Sequence, residues 1–369
     1  MSELYIGLMS GTSLDGVDGV LADFSAATPQ VVAATSAALP DELRTELLAL
    51  NSSGSDELHR AALAGNALIG LYAQVVSELL RLAGLEAGSV RAIGAHGQTV
   101  RHRPGMFDGT GYTLQLNQPA LLAELTGIDV VADFRSRDVA AGGQGAPLAP
   151  FFHQAFFGRA DEAIGVLNIG GMANLTLLHP DGSMLGFDSG PGNVLMDAWC
   201  GDHTGHLFDT DGVWASSGQI LPELLTRLLS EPYFLALPPK STGRDLFSRA
   251  WLNAHLAQTA DAEAADVQAT LAELTARVCA DDVLRFDDAP RRLVVCGGGA
   301  LNGFLLRRLQ ALLPDVQVRS SVDCGLPPLQ VEASAFAWLA RKAVRSEKLQ
   351  LSSTTGARGA RVLGALYPA

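Results

Sequence analysis

The chain has 369 residues, of which 48% are hydrophobic and 18% charged, so it is long enough for two domains and apolar enough to bury a large core. Its net charge of −13 argues against a general nucleic-acid binder or a protein that binds anionic membranes, although a local basic pocket is still allowed. The four cysteines lack CxxC spacing and predict buried thiols in a reducing compartment. No signal peptide or membrane-spanning apolar run is visible, so we expect a cytoplasmic protein.

The first predicted element is a hairpin. Residues 4–9 and 19–24 are apolar strands, and the turn between them is rich in Gly, Ser, Thr and Asp. Such a turn can present backbone N–H groups and hydroxyls to a phosphate, while Asp15 or Asp18 could hold a metal or its waters. The Gly-Lys-Ser/Thr ending of a Walker loop is missing. The alternative is an ordinary polar hairpin turn.

Polar side chains follow a predicted strand at residues 90–94. His96 and Gln98 at its end could bind a polar ligand, although a single histidine can also be a structural residue. Farther along, residues 135–150 form a Gly-rich polar loop. It could be an interdomain joint, a substrate loop in which Arg135 or Arg137 pairs with a carboxylate, or a solvated basic loop.

A second hairpin repeats the layout of the first. Residues 163–168 and 173–178 are predicted strands, and Gly170 and Gly171 lie in the turn between them. Two such hairpins, one opening each half, suggest a duplicated α/β architecture. Each half could contribute one turn to a shared phosphate.

The segment 185–199 is predicted to run from strand through tight turn to helix, with Asp188 at the strand end. Ligands of α/β proteins bind at strand ends, and a helix N-terminus is a seat for an anion. Asp188 is therefore a candidate base beside a phosphate. The alternative is that Asp188 only caps the helix.

Three later features complete the sequence pattern. Lys240 and Arg244 lie in a polar loop, where they either face a ligand or are solvated. The glycine run 297–299 joins a strand to a helix, and it lets a flat ring or ribose approach the backbone closely, although the third glycine of a dinucleotide fingerprint is absent. Glu332 lies early in a predicted helix.

Seven short motifs, in a consistent order along nearly the whole chain, resemble those of the anhydro-N-acetylmuramic acid kinase family, within the actin-like ATPase and sugar-kinase superfamily. They are GLMSGTSLDGVD (7–18), GAHGQT (94–99), ADFR (132–135), LNIGGMAN (167–174), GFDSGPGN (186–193), PKSTGR (239–244) and CGGGA (296–300).

The resemblance implies an α/β, two-domain actin-like ATPase fold, duplicated and ribonuclease H-like, with a central nucleotide cleft. The expected domains are 1–140, with the first phosphate hairpin, and 141–369, with the second hairpin, the catalytic aspartate and the adenosine-side glycine turn; the chain end could pack back on the first domain. It also implies a homodimer with a small amino-sugar substrate and neither a nucleic-acid nor a membrane partner.

The implied activity is ATP- and Mg²⁺-dependent opening of the anhydro ring by water and phosphorylation of O6, in peptidoglycan recycling, with Asp188 as general base. Metal ligands are not assigned. The implied ATP-binding residues are Gly11, Thr12, Ser13, Leu14, Asp15, Gly16, Val17, Asp18, Gly170, Gly171, Gly297, Gly298 and Gly299. The implied substrate-binding residues are His96, Gln98, Arg135, Asn174 and Glu332.

Two other functions fit the same residues. One is a kinase of another hydroxylated sugar or a small acid, in which Asp188 deprotonates a substrate hydroxyl. The other is an actin-like binding clamp, in which ATP sets domain closure and no sugar is phosphorylated.

Overall fold

The computed structural model of the chain describes residues 3–11, 13–26, 29–238, 240–243, 246–259, 262–286 and 289–369. The chain divides into two compact units, the first comprising Met1–Phe156 and Gln330–Ala369 and the second Phe157–Leu329. Each unit is built on its own β-sheet with helices, so the α/β class expected from the sequence is confirmed. The division at residues 140 and 141 stays a prediction.

The first unit is built from strands and helices at the start of the chain and a smaller group from its end. Its strands are β1 (Leu4–Ser10), β2 (Gly16–Asp23), β3 (Gln30–Ala38), β4 (Ala92–Pro104), β5 (Gly111–Leu116), β6 (Val130–Ala132), β12 (Leu349–Gln350), β13 (Ala360–Arg361) and β14 (Ala365–Tyr367). Its helices are α1 (Asp41–Ala49), α2 (Glu57–Ala83), α3 (Pro119–Thr126), α4 (Ser136–Ala140) and α12 (Val331–Val344), and α5 (Ala149–Phe157) follows α4.

The second unit has a smaller sheet and a long central helix, α10. Its strands are β7 (Ile164–Ile169), β8 (Met172–Leu178), β9 (Met184–Pro191), β10 (Arg292–Cys296) and β11 (Gln317–Ser320). Its helices are α6 (Val194–Thr204), α7 (Val213–Ser217), α8 (Pro222–Leu229), α9 (Arg249–Leu256), α10 (Ala264–Leu284) and α11 (Gly303–Leu312).

The two sheets share one strand plan. The order is β3-β2-β1-β4-β6 in the first unit, extended by β14 beside β6, and β9-β8-β7-β10-β11 in the second. In each, the first three strands form an antiparallel meander, and the next two strands run parallel to the strand that opens the unit. The expected duplication, based on the two hairpins, is therefore present in the topology.

Helices cover both faces of the first sheet. A Cβ at Gly7 would overlap the carbonyl oxygen of Ala333 in α12, whereas a Cβ at Gly19 would overlap a methyl group of Val75 in α2. Residues 7 and 19 belong to opposite faces, because Gly19 lies opposite Leu8 rather than Gly7. Glycine thus lets α12 approach one face and α2 the other at close range.

The helix α2 is long enough, at 27 residues, and apolar enough in composition to cross a membrane. This is weak evidence, because the core helix of a globular unit meets the same test. Nine of its residues are buried, and it packs on β2, β3 and α3. The apolar side of α2 is therefore accounted for by the core of the first unit.

The close approach of α12 yields a prediction for Gly94 in β4. A Cβ at this position would overlap the carbonyl oxygen of Phe336, so Gly94→Ala should destabilise the protein by about 3 kcal/mol or more. Urea unfolding followed by circular dichroism measures the change in midpoint.

The matched control is Gly70→Ala in the interior of α2, where a Cβ meets nothing within 4 Å. Alanine should leave the free energy of unfolding unchanged or raise it by up to about 1 kcal/mol, since it restricts the unfolded chain. The urea midpoint should therefore stay the same or rise. Equal midpoints for the two variants would contradict the packing of α12 on β4.

Candidate active site

Asp188 lies within β9 and not at the strand end that the sequence predicted. It faces Asn174 of β8, which in turn faces Asn168 of β7, so three polar side chains form one row across the sheet. The register shifts beside this row, and Ser189 is the extra residue of a β-bulge. Bulges redirect side chains and are frequent next to active sites.

Three hydrogen bonds hold Asp188 on different sides. Its backbone N–H donates to the carbonyl oxygen of Lys240 at 3.2 Å, and its carbonyl oxygen accepts from the hydroxyl of Tyr233 at 2.8 Å. Its carboxylate Oδ2 accepts from the backbone N–H of Thr242 at 3.1 Å. The capping alternative is wrong, because the residue at the N-terminal cap of α6 is Asn193 and the Asp188 carboxylate binds Thr242 instead.

The electrostatics of Asp188 suit a base. Burial raises the pKa of its carboxyl to about 6, while the Thr242 N–H and the positive charge of Lys240 act in the opposite direction. The group is therefore mostly ionised at neutral pH and yet more basic than a solvated aspartate. Such a carboxylate can accept a proton from water or a hydroxyl.

The anion seat expected at the start of α6 is largely occupied by the protein itself. The N–H groups of Gly192 and Val194 donate to the carbonyl oxygen of Gly171 at 2.9 and 3.1 Å, and that of Asn193 donates to Gly170 at 2.8 Å. These three groups attach α6 to the second hairpin turn. They are not free for a phosphate, so the prediction was wrong for them.

The glycine run 297–299 is required first by packing. Gly297 has φ of +75°, and a Cβ there would overlap Asn168, while one at Gly299 would overlap Ile169. Gly298 differs, since it is exposed and a Cβ would meet only the side-chain nitrogen of Asn193 at 3.4 Å. Only Gly298 leaves its backbone open to a ligand by this criterion.

The first hairpin turn is compact. The N–H of Leu14 donates to the carbonyl oxygen of Gly11 at 3.2 Å, and the Ser13 hydroxyl donates to Asp15 at 2.7 Å. Leu14 has φ of +58° and a buried side chain. Thr12 lies outside the described residues.

Gly16, Val17 and Asp18 belong to β2 rather than to the turn. Gly16 and Val17 pair with β3, and Val17 is fully buried, so their side-chain positions serve the sheet. Asp18 is exposed, yet partial desolvation and the nearby carboxylates of Asp15 and Glu332 raise its pKa to about 6.

His96 and Arg135 are linked in the first unit. The guanidinium of Arg135 contacts Nε2 of His96 at 2.9 and 3.1 Å and donates to the carbonyl oxygen of Gly145 at 2.7 Å. Burial, reinforced by Arg135, lowers the pKa of His96 to about 3, so the imidazole is neutral and accepts. The solvated-loop alternative for residues 135–150 is thus wrong for Arg135, which directly precedes helix α4.

Two further expected residues lie near this pair. Gln98 is buried, and its side-chain oxygen accepts from the hydroxyl of Ser10 across the parallel pair β1–β4. Glu332 is exposed at the start of α12, and its negative charge acts on Arg135 and partly offsets the lowering of the Arg135 pKa to about 10 by burial. The first unit therefore brings His96, Arg135 and Glu332 into electrostatic contact.

The sequence did not decide whether Lys240 faces a ligand or solvent, and it did not indicate which residues Lys240 contacts. The side chain is 3% exposed, and its Nζ lies 3.2 and 3.3 Å from the carboxylate of Asp282 in α10. The solvated alternative is therefore wrong for Lys240, while Arg244 lies outside the described residues. Tyr233 and Asp282 were not singled out, because neither belongs to a motif.

Among the described residues, no group of three or more His, Cys, Asp or Glu side chains is arranged to hold a metal ion. A cavity of 630 Å³ in the second unit contains none of the expected site residues. It is lined by Asp161, Glu162, Ala163, His179, Pro180, Asp181, Ser183, Ala289 and Arg291.

The neutral state of His96 predicts a pH-dependent stability. Its folded pKa of about 3 lies below that of a solvated histidine, so between pH 6.5 and 3 the unfolded chain binds the extra proton. Stability is complete above this window and falls as the pH falls through it. Between pH 7.5 and 5, the loss due to His96 should be about 2 kcal/mol.

Urea unfolding of wild type and His96→Gln at both pH values tests this, because the difference in unfolding free energy between them should change by that amount. His206→Gln is the control, since it removes an exposed imidazole. A difference independent of pH for His96→Gln would show that the imidazole is not held neutral.

Comparison with known proteins assigns the sequence to a family. A family model described as anhydro-N-acetylmuramic acid kinase matches residues 3–369. The anhydro-N-acetylmuramic acid kinase of Variovorax paradoxus (strain S110) is 63% identical over 372 residues, covering 100% of this chain and 99% of the relative. That of Albidiferax ferrireducens is 60% identical over 389 residues, covering 100% of both.

Among solved structures, the activator of 2-hydroxyisocaproyl-CoA dehydratase from Clostridium difficile with bound ADPNP is similar with a TM-score of 0.49 and 14% identity, covering 94% of this chain and 96% of that one. The full-length match to the family model and the two relatives is decisive. The chain belongs to the anhydro-N-acetylmuramic acid kinase family.

Proposed function

We propose that the chain is an ATP-dependent kinase that opens the 1,6-anhydro ring of 1,6-anhydro-N-acetylmuramic acid with water and phosphorylates O6. The products are N-acetylmuramic acid 6-phosphate and ADP. Membership of a kinase family supports the use of ATP and an amino-sugar substrate. The observation that carries the mechanism is the Asp188 carboxylate, partly buried, raised in pKa and held by Thr242.

The chemistry requires one base and no strong acid. Asp188 takes a proton from water as its oxygen attacks the anomeric carbon C1. The C1–O6 bond breaks, the electron pair stays on O6, and O6 attacks the γ-phosphorus of ATP while ADP leaves. Because the leaving oxygen is captured by phosphorus, it need not be fully protonated. The step joins the logic of an inverting glycosidase to that of a kinase.

Three glycines support an ATP site of the expected composition. A Cβ at Gly170 would meet only the carbonyl oxygen of Met172, at 3.7 Å, and one at Gly11 would meet only atoms of Ser13. Together with exposed Gly298, these positions leave free space where a Cβ would lie, as close approach of a phosphate or ribose requires. We assign Gly11 to Asp18 and Gly170–Gly171 to the phosphates and Gly297–Gly299 to adenosine.

Mg²⁺ fits the carboxylates of the first unit. Asp15, Asp18 and Glu332 are close enough to raise the pKa of Asp18, and a cation would relieve their repulsion. Mg²⁺ usually keeps several waters and binds one or two carboxylates plus substrate phosphates, so it needs no cage made of protein alone. We propose Asp15 and Asp18 as its ligands, directly or through water; bound there, the ion would neutralise phosphate charge.

The sugar would be recognised by His96, Gln98, Arg135, Asn174 and Glu332. Arg135 is the strongest candidate to bind an anionic substituent of the sugar, because its guanidinium is fixed by His96 and Gly145 rather than neutralised by a bidentate carboxylate.

We further propose a cytoplasmic homodimer acting in peptidoglycan recycling, without nucleic-acid or membrane partners. Mass photometry tests the dimer.

Incubation with MgATP and 1,6-anhydro-N-acetylmuramic acid in H₂¹⁸O tests the reaction. We expect a sugar phosphate heavier than the substrate by one water and one phosphoryl group, with no ¹⁸O on phosphorus in the ³¹P spectrum. Inorganic phosphate carrying ¹⁸O and no phosphorylated sugar would instead indicate an ATP-driven clamp. Phosphorylation of other sugars without opening of the anhydro ring would indicate another sugar kinase.

Asp188→Asn removes the base and preserves the shape of the side chain. Turnover should fall about 100-fold or more, while ATP affinity by calorimetry is retained. In the wild type, activity should fall as the pH drops through about 6, because the base becomes protonated. The control is exposed Asp161→Asn, and near-normal turnover of Asp188→Asn would refute the assignment.

A further inference from the structure

The buried ammonium group of Lys240 acts electrostatically on the proposed base. Lys240 Nζ pairs with both carboxylate oxygens of Asp282 and lies 5.4 Å from the ring centre of Phe187 and 5.2 Å from that of Tyr233. Cation–π contact with two rings adds to the ion pair. Lys240 is therefore fixed from three directions by residues of the second unit.

Lys240 and both of the aromatic residues beside its ammonium are also adjacent to Asp188 in sequence or bonded to it. Phe187 precedes it in β9, and the Tyr233 hydroxyl donates to its carbonyl oxygen at 2.8 Å. The carbonyl oxygen of Lys240 accepts from its N–H, and two residues later Thr242 donates to its carboxylate. The side chain of Lys240 thus anchors a short segment that hydrogen-bonds the base twice.

We propose that Lys240 is a positioning residue for the base: its ammonium, held by Asp282, fixes the segment 240–242 so that the Thr242 N–H stays on the Asp188 carboxylate. The positive charge of Lys240 also favours the ionised form of that carboxylate. The proposal rests on the proposed role of Asp188 and extends it to a residue that does not touch the substrate.

Lys240 is the cation that acts on the Asp188 carboxylate, and the other charged and titratable groups around β9 are either paired or neutral. From α10, Asp282 is paired with Lys240 and with Arg285 at 3.1 Å, and burial keeps the thiol of Cys279 neutral by raising its pKa. Burial likewise raises the pKa of Tyr233. Burial raises the pKa of Asp188 as well, and Lys240 is the charge that lowers it.

Lys240→Met and Lys240→Gln remove the charge and the anchor but leave Asp282 paired with Arg285. The acid limb of the kcat/KM profile, which reports the free enzyme, should move up by about half a pH unit or more. Activity should therefore fall about 2.5-fold or more at pH 5.5 relative to pH 8, compared with the wild type, with little change in the KM for ATP. Lys240→Arg should restore the wild-type profile.

A second buried carboxylate of α10, Glu273, provides a matched control. Glu273 of α10 is fully buried and paired with both Arg277 and Arg308, so Arg308→Met also removes one of two cations from a buried carboxylate. It should cost stability without moving the pH profile. This comparison separates a general loss of packing from an effect on the base.

A direct titration makes the test independent of turnover. The carboxyl carbon of Asp188, assigned by its loss in Asp188→Asn, is followed by ¹³C NMR in protein with labelled aspartate. Its midpoint should rise in Lys240→Met and Lys240→Gln and not in Arg308→Met. An unmoved midpoint in a folded variant overturns the proposal.

The remaining outcomes are also decisive. If both neutral variants fail to fold while Lys240→Arg behaves as wild type, Lys240 serves the fold alone and the proposal is wrong. If Asp188→Asn keeps its turnover, the proposed base is wrong, whereas the NMR titration still shows whether Lys240 controls ionisation of that carboxyl.

Discussion

The partly buried carboxylate of Asp188 is the constraint on which the surrounding structure depends. Burial of a charged group is costly unless hydrogen bonds and an opposite charge replace the lost water. Around Asp188, the replacement comes from the Thr242 N–H and from Lys240, whose own burial is stabilised by Asp282. The bulge lies beside Asp188 in β9, residues 240 and 242 hydrogen-bond Asp188, and Asp282 of α10 pairs with Lys240.

The repeated strand plan explains where the chemistry-bearing residues lie within each unit. In the first, Ser10 at the end of β1 faces Gln98 of the parallel neighbour β4; in the second, Asn168 near the end of β7 faces Cys296 at the end of β10. Carboxyl ends of parallel strands meet at one edge, and a hairpin turn follows the opening strand at that edge. Duplication of the plan thus produces one polar edge in each sheet.

Much of this organisation was readable in the sequence, because apolar strands broken by glycine turns follow local rules. The two hairpins and the strand β8 lie close to where the pattern predicted them. The short helix α4 was missed, since its arginine- and glycine-rich surroundings are typical of a loop. Local rules could not reveal that the carbonyl oxygens of Gly170 and Gly171 accept from the N–H groups at the start of α6. Nor could they reveal that Lys240 pairs with Asp282, 42 residues away.

The first unit is discontinuous in sequence, and this has a consequence for biosynthesis. Strands β1 and β4 are completed by α12, which comes from the last 40 residues, Gln330–Ala369, whereas the second unit is one uninterrupted segment. A chain emerging from the ribosome therefore exposes the glycine-lined face of its first sheet until α12 has been synthesised. The later-made unit can close before the earlier-made one, which reverses the usual N-terminal-first order of domain folding.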